Sequence, residues 1–149
     1  MPDPVIVGVG NRWRGDDGAG LAVVAALRER GVRAQACGDP MDLPELLRGE
    51  DAAIVVDAAR AGAPAGTLHR FEVSESGIPA GLRGCSTHAL GVGDALEVCR
   101  AVGKLPARIV VMGIEGAQFG LGDDLSRPVA NAVATVAAAI ERELSAAAG

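Results

Sequence analysis

The sequence predicts an α/β domain built on an open, mostly parallel sheet of about five strands, and three observations carry that expectation. Residues 5–20 read as a buried strand, Val5-Ile6-Val7 continued by Val9, that turns through glycines at 8, 10, 15, 18 and 20 and enters a helix at Asp16-Asp17. A strand handing directly to a helix through a glycine loop is the first unit of such a sheet, and ligands of these sheets sit at the carboxyl ends of the strands. The runs Ala52–Asp57 and Ile109–Ile114 are apolar on both faces, as central parallel strands covered by helices on each side must be. Finally, Val129, Val133, Val136, Ile140 and Leu144 recur at a 3.6-residue period, which is the signature of an amphipathic helix. A chain of 149 residues suits one domain, 1–149, able to bury about 70% of its unfolded surface.

Taken in order, strand one is expected over 4–10 and helix one over 16–30, where Leu21, Val24 and Leu27 form the apolar stripe and Gly31 supplies the stop. A short second strand follows at 32–37. Residues 42–49 read as a short helix, with Asp42 as its N-cap and Pro44 in the first turn. The strand 52–57 ends in Asp57, and 58–66 is a loop. Residues 67–73 alternate, with Leu68 and Arg70 on one face and His69, Phe71 and Val73 on the other, the pattern of a half-exposed edge strand. Residues 74–87 hold Gly77, Pro79, Gly81 and Gly84 and read as a long loop, a feature usually tied to function or motion. Ser86 or Thr87 caps a helix expected from His88 to about Val102, and Gly91 and Gly93 weaken its first turns by about 1 kcal/mol each. The strand 108–114 ends at Glu115, and Ser126 and Pro128 open the last helix.

Composition excludes several functions. Hydrophobic residues are 49% of the chain and aromatics 2%, so the core must be Ala, Val, Leu and Ile. A net charge of −5 argues against a nucleic-acid partner, which needs a basic face. Three cysteines, Cys37, Cys85 and Cys99, without a spacing pattern fit a reducing cytoplasm better than a disulfide framework. Met1-Pro2-Asp3-Pro4 is not basic, so no signal peptide is expected, and no apolar run approaches the roughly 18 residues of a membrane span. The glycine loop is not a dinucleotide fingerprint, because Trp13 stands where G-x-G-x-x-G needs glycine. It is not a P-loop either, because no Lys-Ser/Thr follows the last glycine. Asp16 and Asp17 would repel a phosphate there; acid at this position suggests a cation.

Asp17 lies beyond strand one, and Asp57 and Glu115 stand at the ends of two central strands. In a parallel sheet those ends share one edge, and His88, after the long loop, can reach it. Carboxylates and an imidazole converging there suit a borderline divalent metal such as nickel or zinc. Each residue also has an ordinary role open to it. Asp16 and Asp17 at a helix N-terminus satisfy free N–H groups and the macrodipole. An Asp after a strand makes turns, and a lone His is usually structural or exposed. A helix N-terminus disfavours the protonated imidazole, and the neutral ring is the metal-binding form. Cys85, three residues before His88, gives a weak Cys–His signal. His69 on a half-exposed strand reads as surface, and Cys37 and Cys99 as core thiols.

Three motifs resemble one family. Gly8-Val9-Gly10-Asn11-x-x-x-Gly15-Asp16-Asp17-Gly18-Ala19-Gly20 is similar to the opening motif of the [NiFe]-hydrogenase maturation endopeptidases. Ile54-Val55-Val56-Asp57-Ala58 resembles their second motif, and Ser86-Thr87-His88-Ala89-Leu90-Gly91 their third. The resemblance implies a twisted sheet between helical layers on both faces. It implies an enzyme that cuts a C-terminal extension from the precursor of a hydrogenase large subunit after nickel insertion. Carried over by position, the metal-contacting and catalytic residues are Asp17, Asp57 and His88. The acid matching Asp17 is Glu or Asp in the family, so Asp17 fits with a side chain one carbon shorter than Glu. The three would hold a nickel ion already carried by the substrate, and the ion then polarises the scissile carbonyl or activates water. No thiolate cage for a permanent metal is evident, and no separate base is identified; Asp17 or Asp57 can serve. Arg12-Trp13-Arg14 lies where the family varies, and Trp13 suits either a loop anchor for the partner or packing. Two other readings compete: a non-proteolytic module that binds a metal or a partner's tail, and a nucleotide-binding enzyme, which Trp13 and the aspartates disfavour.

Overall fold

A computed structural model describes residues 3–74, 77–84 and 91–148. Its five strands are β1 (Val5–Val9), β2 (Gln35–Cys37), β3 (Ala52–Ala59), β4 (Leu68–Val73) and β5 (Arg108–Glu115), in the spatial order β2-β1-β3-β5-β4. The first three and β5 run parallel, and β4 pairs antiparallel on the outer side of β5. The expected α/β sheet and the edge position of 67–73 are therefore both found. The helices are α1 (Ala19–Glu29), α2 (Leu43–Leu46), α3 (Ala80–Gly84), α4 (Val92–Ala101) and α5 (Arg127–Ala148).

Strand alternation divides the core into two layers. Ile6, Ile54, Val56, Val110, Met112 and Ile114 face α1 and α5, which contribute Val23, Leu27, Val136 and Ile140. Val7, Val9, Val55, Ile109 and Val111 face the other way, onto Leu43, Leu96 and Cys99 of α2 and α4. Both faces of β1, β3 and β5 are thus sealed, which is why those strands read as continuous apolar runs. β4 has one sealed face: Leu68, Arg70 and Glu72 are exposed while Val73 is buried.

Several boundaries shift for local reasons. Helix one starts as a 3-10 turn at Gly15–Gly18 and becomes α-helical at Ala19. Its end closes through Gly31 at φ 77°, where the amide of Val32 donates to Leu27 and that of Gly31 to Arg28, a left-handed stop that glycine adopts without strain. Val32 is consumed by that closure, so β2 is only Gln35–Cys37 rather than 32–37. Asp42 stands at the N-cap position of α2, as expected, but its side chain makes no capping hydrogen bond. Asp39 is extended, and its carboxylate accepts from the amide of Met41 to cap the 3-10 turn Pro40–Asp42; Asp42 is already helical. β3 runs to Ala59, so Asp57 lies inside the strand and not at its end. The segment 74–87 is not all loop, since it holds α3. The next helix begins at Val92 and not at His88: Gly91 is extended, and its amide donates to the carboxylate of Asp94. The caps expected at Ser86 or Thr87 lie outside the described residues.

Candidate functional site

The strand order sets where a ligand can sit. From β1 the chain goes to β2 on one side and then returns to β3 on the other. The sheet's topological switch point therefore lies between β1 and β3. In open α/β sheets, ligands bind outside the carboxyl ends of the strands at this point. Asp17 lies on the turn after β1, and Asp57 lies on β3. Both are buried, at 4% and 5% exposure.

Glycines bring these two segments together. An added Cβ on Gly20 would lie 2.4 Å from the carbonyl oxygen of Val9 and 2.6 Å from that of Val56; one on Gly8 would lie 2.2 Å from the carbonyl oxygen of Gly20. The first turn of α1 thus rests backbone to backbone on β1 and β3, an approach any side chain would block. Val56 precedes Asp57, and Asp17 is three residues before Gly20, so this seat joins the segments that carry the two carboxylates. The backbone of Asp17 is tied in as well: its amide donates to Arg14 and its carbonyl accepts from Asn11. The carboxylate Oδ1 of Asp57 accepts from the amide of Ala58 at 2.8 Å. Asp57 also borders a groove of about 290 Å³, counting space open to solvent, whose other walls include Phe71, Leu82, Val92, Gly93 and Gly113.

The adjacent Asp16 does something different. It is fully buried and accepts four hydrogen bonds across the fold: from the amides of Ala117 (2.7 Å), Gln118 (3.0 Å) and Ser126 (2.7 Å), and from the hydroxyl of Ser126 (2.8 Å). Its own amide donates back to Gln118 at 2.7 Å. Its carboxylate is spent on these partners and not on the amides of its own helix, the ordinary role open to it. Asp16 instead latches the loop after β1 to the loop after β5 and to the start of α5. Charge-assisted bonds of this kind are the strong ones.

Glu115 lies on β5 as expected, but it is already engaged. Its carboxylate accepts from the amides of Ala61 and Gly62 and bonds Nε2 of His69 at 2.9 Å. Burial raises its pKa, but the bonds from His69, Ala61 and Gly62 outweigh burial and hold the carboxyl below its ordinary value. His69 is consequently not a free surface residue; it fastens the edge strand to Glu115. Cys37, at the end of β2, is held as a neutral thiol. Burial pushes its pKa up, and the nearby carboxylates of Asp42, Asp39 and Asp57 push it further. That matches the expected core thiol rather than a thiolate ligand.

Among the described residues, no three His, Cys, Asp or Glu side chains form a group that would hold a metal. His88 and Cys85, the remaining candidates, lie outside the described residues. Two long-range contacts were not legible from the residues next to their carboxylates: the Asp16 latch, whose partners are 101–110 residues away, and the Glu115–His69 pair. The inward phase of His69 beside Phe71 and Val73 was the one hint of the latter.

The chain is an open α/β sheet with two buried aspartates, Asp17 and Asp57, beside its switch point. Residues 35–143 match the family model HycI, hydrogenase maturation protease, and the chain belongs to that family. It is 27% identical over 120 residues to the hydrogenase expression/formation protein HupD of Thiocapsa roseopersicina, covering 76% of this chain and 54% of that one. It is 30% identical over 135 residues to HupM of Azotobacter chroococcum mcd 1, covering 86% of this chain and 65% of that one. The chain thus spans just over half to about two thirds of those relatives. Among solved structures, the [NiFe] hydrogenase maturation protease HybD from Thermococcus kodakarensis superposes with a TM-score of 0.77 at 25% identity, over 96% of this chain and 99% of that one.

Proposed function

We propose that this chain is an endopeptidase that removes a C-terminal extension from the nickel-loaded precursor of a [NiFe]-hydrogenase large subunit. Asp17, Asp57 and His88 are its contacts to the substrate's nickel. The observation that carries this reading is the pair Asp17 and Asp57: two buried carboxylates on either side of the β1/β3 switch point, in a chain of this family. Two carboxylates and one imidazole leave coordination positions open on a divalent ion, and that donor set suits nickel. The ion arrives with the substrate, so the chain's own work is to grip it and hold the scissile segment beside Asp57 and the apolar groove. A Lewis-acid ion held there polarises the carbonyl or activates water. Binding the substrate through its metal makes cleavage wait for nickel insertion.

The site of action is the cytoplasm. The buried cysteines Cys37 and Cys99 are unpaired with each other, as a reducing compartment allows. Among the described residues no helix is long and apolar enough to cross a membrane.

The test is to mix the protein with nickel-loaded precursor and weigh the precursor by mass spectrometry, with Asp57→Ala and His88→Ala variants alongside. Loss of one defined C-terminal peptide with wild type and with neither variant is the expected result. A stable complex with unchanged precursor mass in every sample would replace the protease with a binding module.

A further inference from the structure

We infer that Trp13 and Leu121, with Arg12 and Arg14, form a preorganised docking surface for the folded body of the precursor, on a patch of it that pairs an apolar pocket with carboxylates. This inference rests on the proposed function and adds the surface by which the partner is seated.

Trp13 is the only tryptophan in a chain with three aromatic residues, yet it is 62% exposed, and Leu121 on a neighbouring loop is 75% exposed. Their loops are joined directly: the amide of Gly122 donates to the carbonyl of Trp13 at 2.7 Å, and that of Gly15 to Asp123 at 3.1 Å. The Asp16 latch fixes the same two loops from below. Within the tip, the Trp13 amide donates to the side chain of Asn11 at 2.9 Å. The Arg12 guanidinium lies 4.6 Å from the centre of the Trp13 ring, so the indole is braced by a cation–π contact. The two apolar side chains are therefore carried on a fixed platform, and little ordering cost remains for a partner to meet. Tryptophan and arginine are also the residue types that dominate interface energetics.

Charge identifies the chemistry of the occupant. Neither Arg12 nor Arg14 has a carboxylate partner among the described residues, in a chain whose net charge is −5. Two arginines beside an exposed indole, neither with a carboxylate partner among the described residues, complement a surface that offers carboxylates around an apolar recess. The position is equally specific. Asp17 follows Trp13 by four residues on the same loop, so a partner body seated on the indole presents its tail to the Asp17–Asp57 edge.

The single tryptophan supplies the test. With 5-fluorotryptophan incorporated into this chain alone, the 19F spectrum holds one resonance, that of Trp13. Adding the nickel-loaded precursor should shift or broaden it, and Trp13→Ala with Leu121→Ala should weaken precursor binding at least tenfold while the melting temperature stays near wild type. Arg12→Glu with Arg14→Glu should weaken binding at low salt more than at high salt. An unchanged resonance under conditions where wild type shortens the precursor would overturn the docking surface and leave the protease intact. A shifted resonance with no shortening by wild type would leave the docking surface standing and overturn the protease.

Discussion

The α-carbon of Gly20 sits so close to the carbonyl oxygen of Val56 that a Cβ there would lie 2.6 Å from it. This contact joins the helix that follows Asp17 to the strand that carries Asp57. Gly20→Ala must push α1 off β1 and β3, because both obstacles are backbone. The expected cost is about 2 kcal/mol of stability, the usual scale for overpacking. Processing of the precursor should fall at least tenfold even well below the variant's melting temperature. Paired urea unfolding and cleavage-rate measurements separate the two effects.

Asp16 and Asp17 are neighbours with opposite assignments, and mutation should separate them. Asp16→Ala leaves the amides of Ala117, Gln118 and Ser126 without their acceptor, a loss of about 3 kcal/mol or more. Asp16→Asn should lose less, since its carbonyl oxygen can take the three bonds made to Oδ2 while its amide nitrogen faces only the amide of Ser126. Both should show as a lower midpoint in calorimetry. Asp17→Asn should leave the midpoint within a few degrees of wild type while abolishing processing.

Much of this was legible in the sequence where burial imposes a pattern. β3 and β5 are sealed on both faces and read as apolar runs; β4 is sealed on one and reads as an alternation. The glycine loop and the aspartates after it were visible for the same local reason. Interactions that span the chain were not. Nothing near Asp16 announces Ser126, and nothing near Glu115 announces His69. The cap at Asp39 was missed because Asp39 and Asp42 are chemically equal candidates, and only the backbone, extended at Asp39 and helical at Asp42, decides between them.

Glu115 gives a pH signature. Its folded carboxyl is held below its ordinary value of 4.5, so the unfolded chain binds its proton first as the pH falls. The stability this contributes is fully present above about pH 4.5 and is lost as the pH falls through the lower folded value. Melting temperatures measured from pH 3 to 7 should therefore fall more steeply on the acid side for wild type than for Glu115→Gln. Parallel acid limbs for the two proteins would show that the His69 and backbone bonds do not hold the carboxylate.

The most direct measurement is the mass of the precursor large subunit after incubation with wild-type protein, in nickel-loaded and nickel-free forms side by side. If Asp17, Asp57 and His88 grip the substrate through its metal, the loaded precursor loses one C-terminal peptide and the nickel-free precursor keeps its full mass. Equal shortening of both forms would contradict recognition through nickel, and a loaded precursor that keeps its mass would contradict the protease itself.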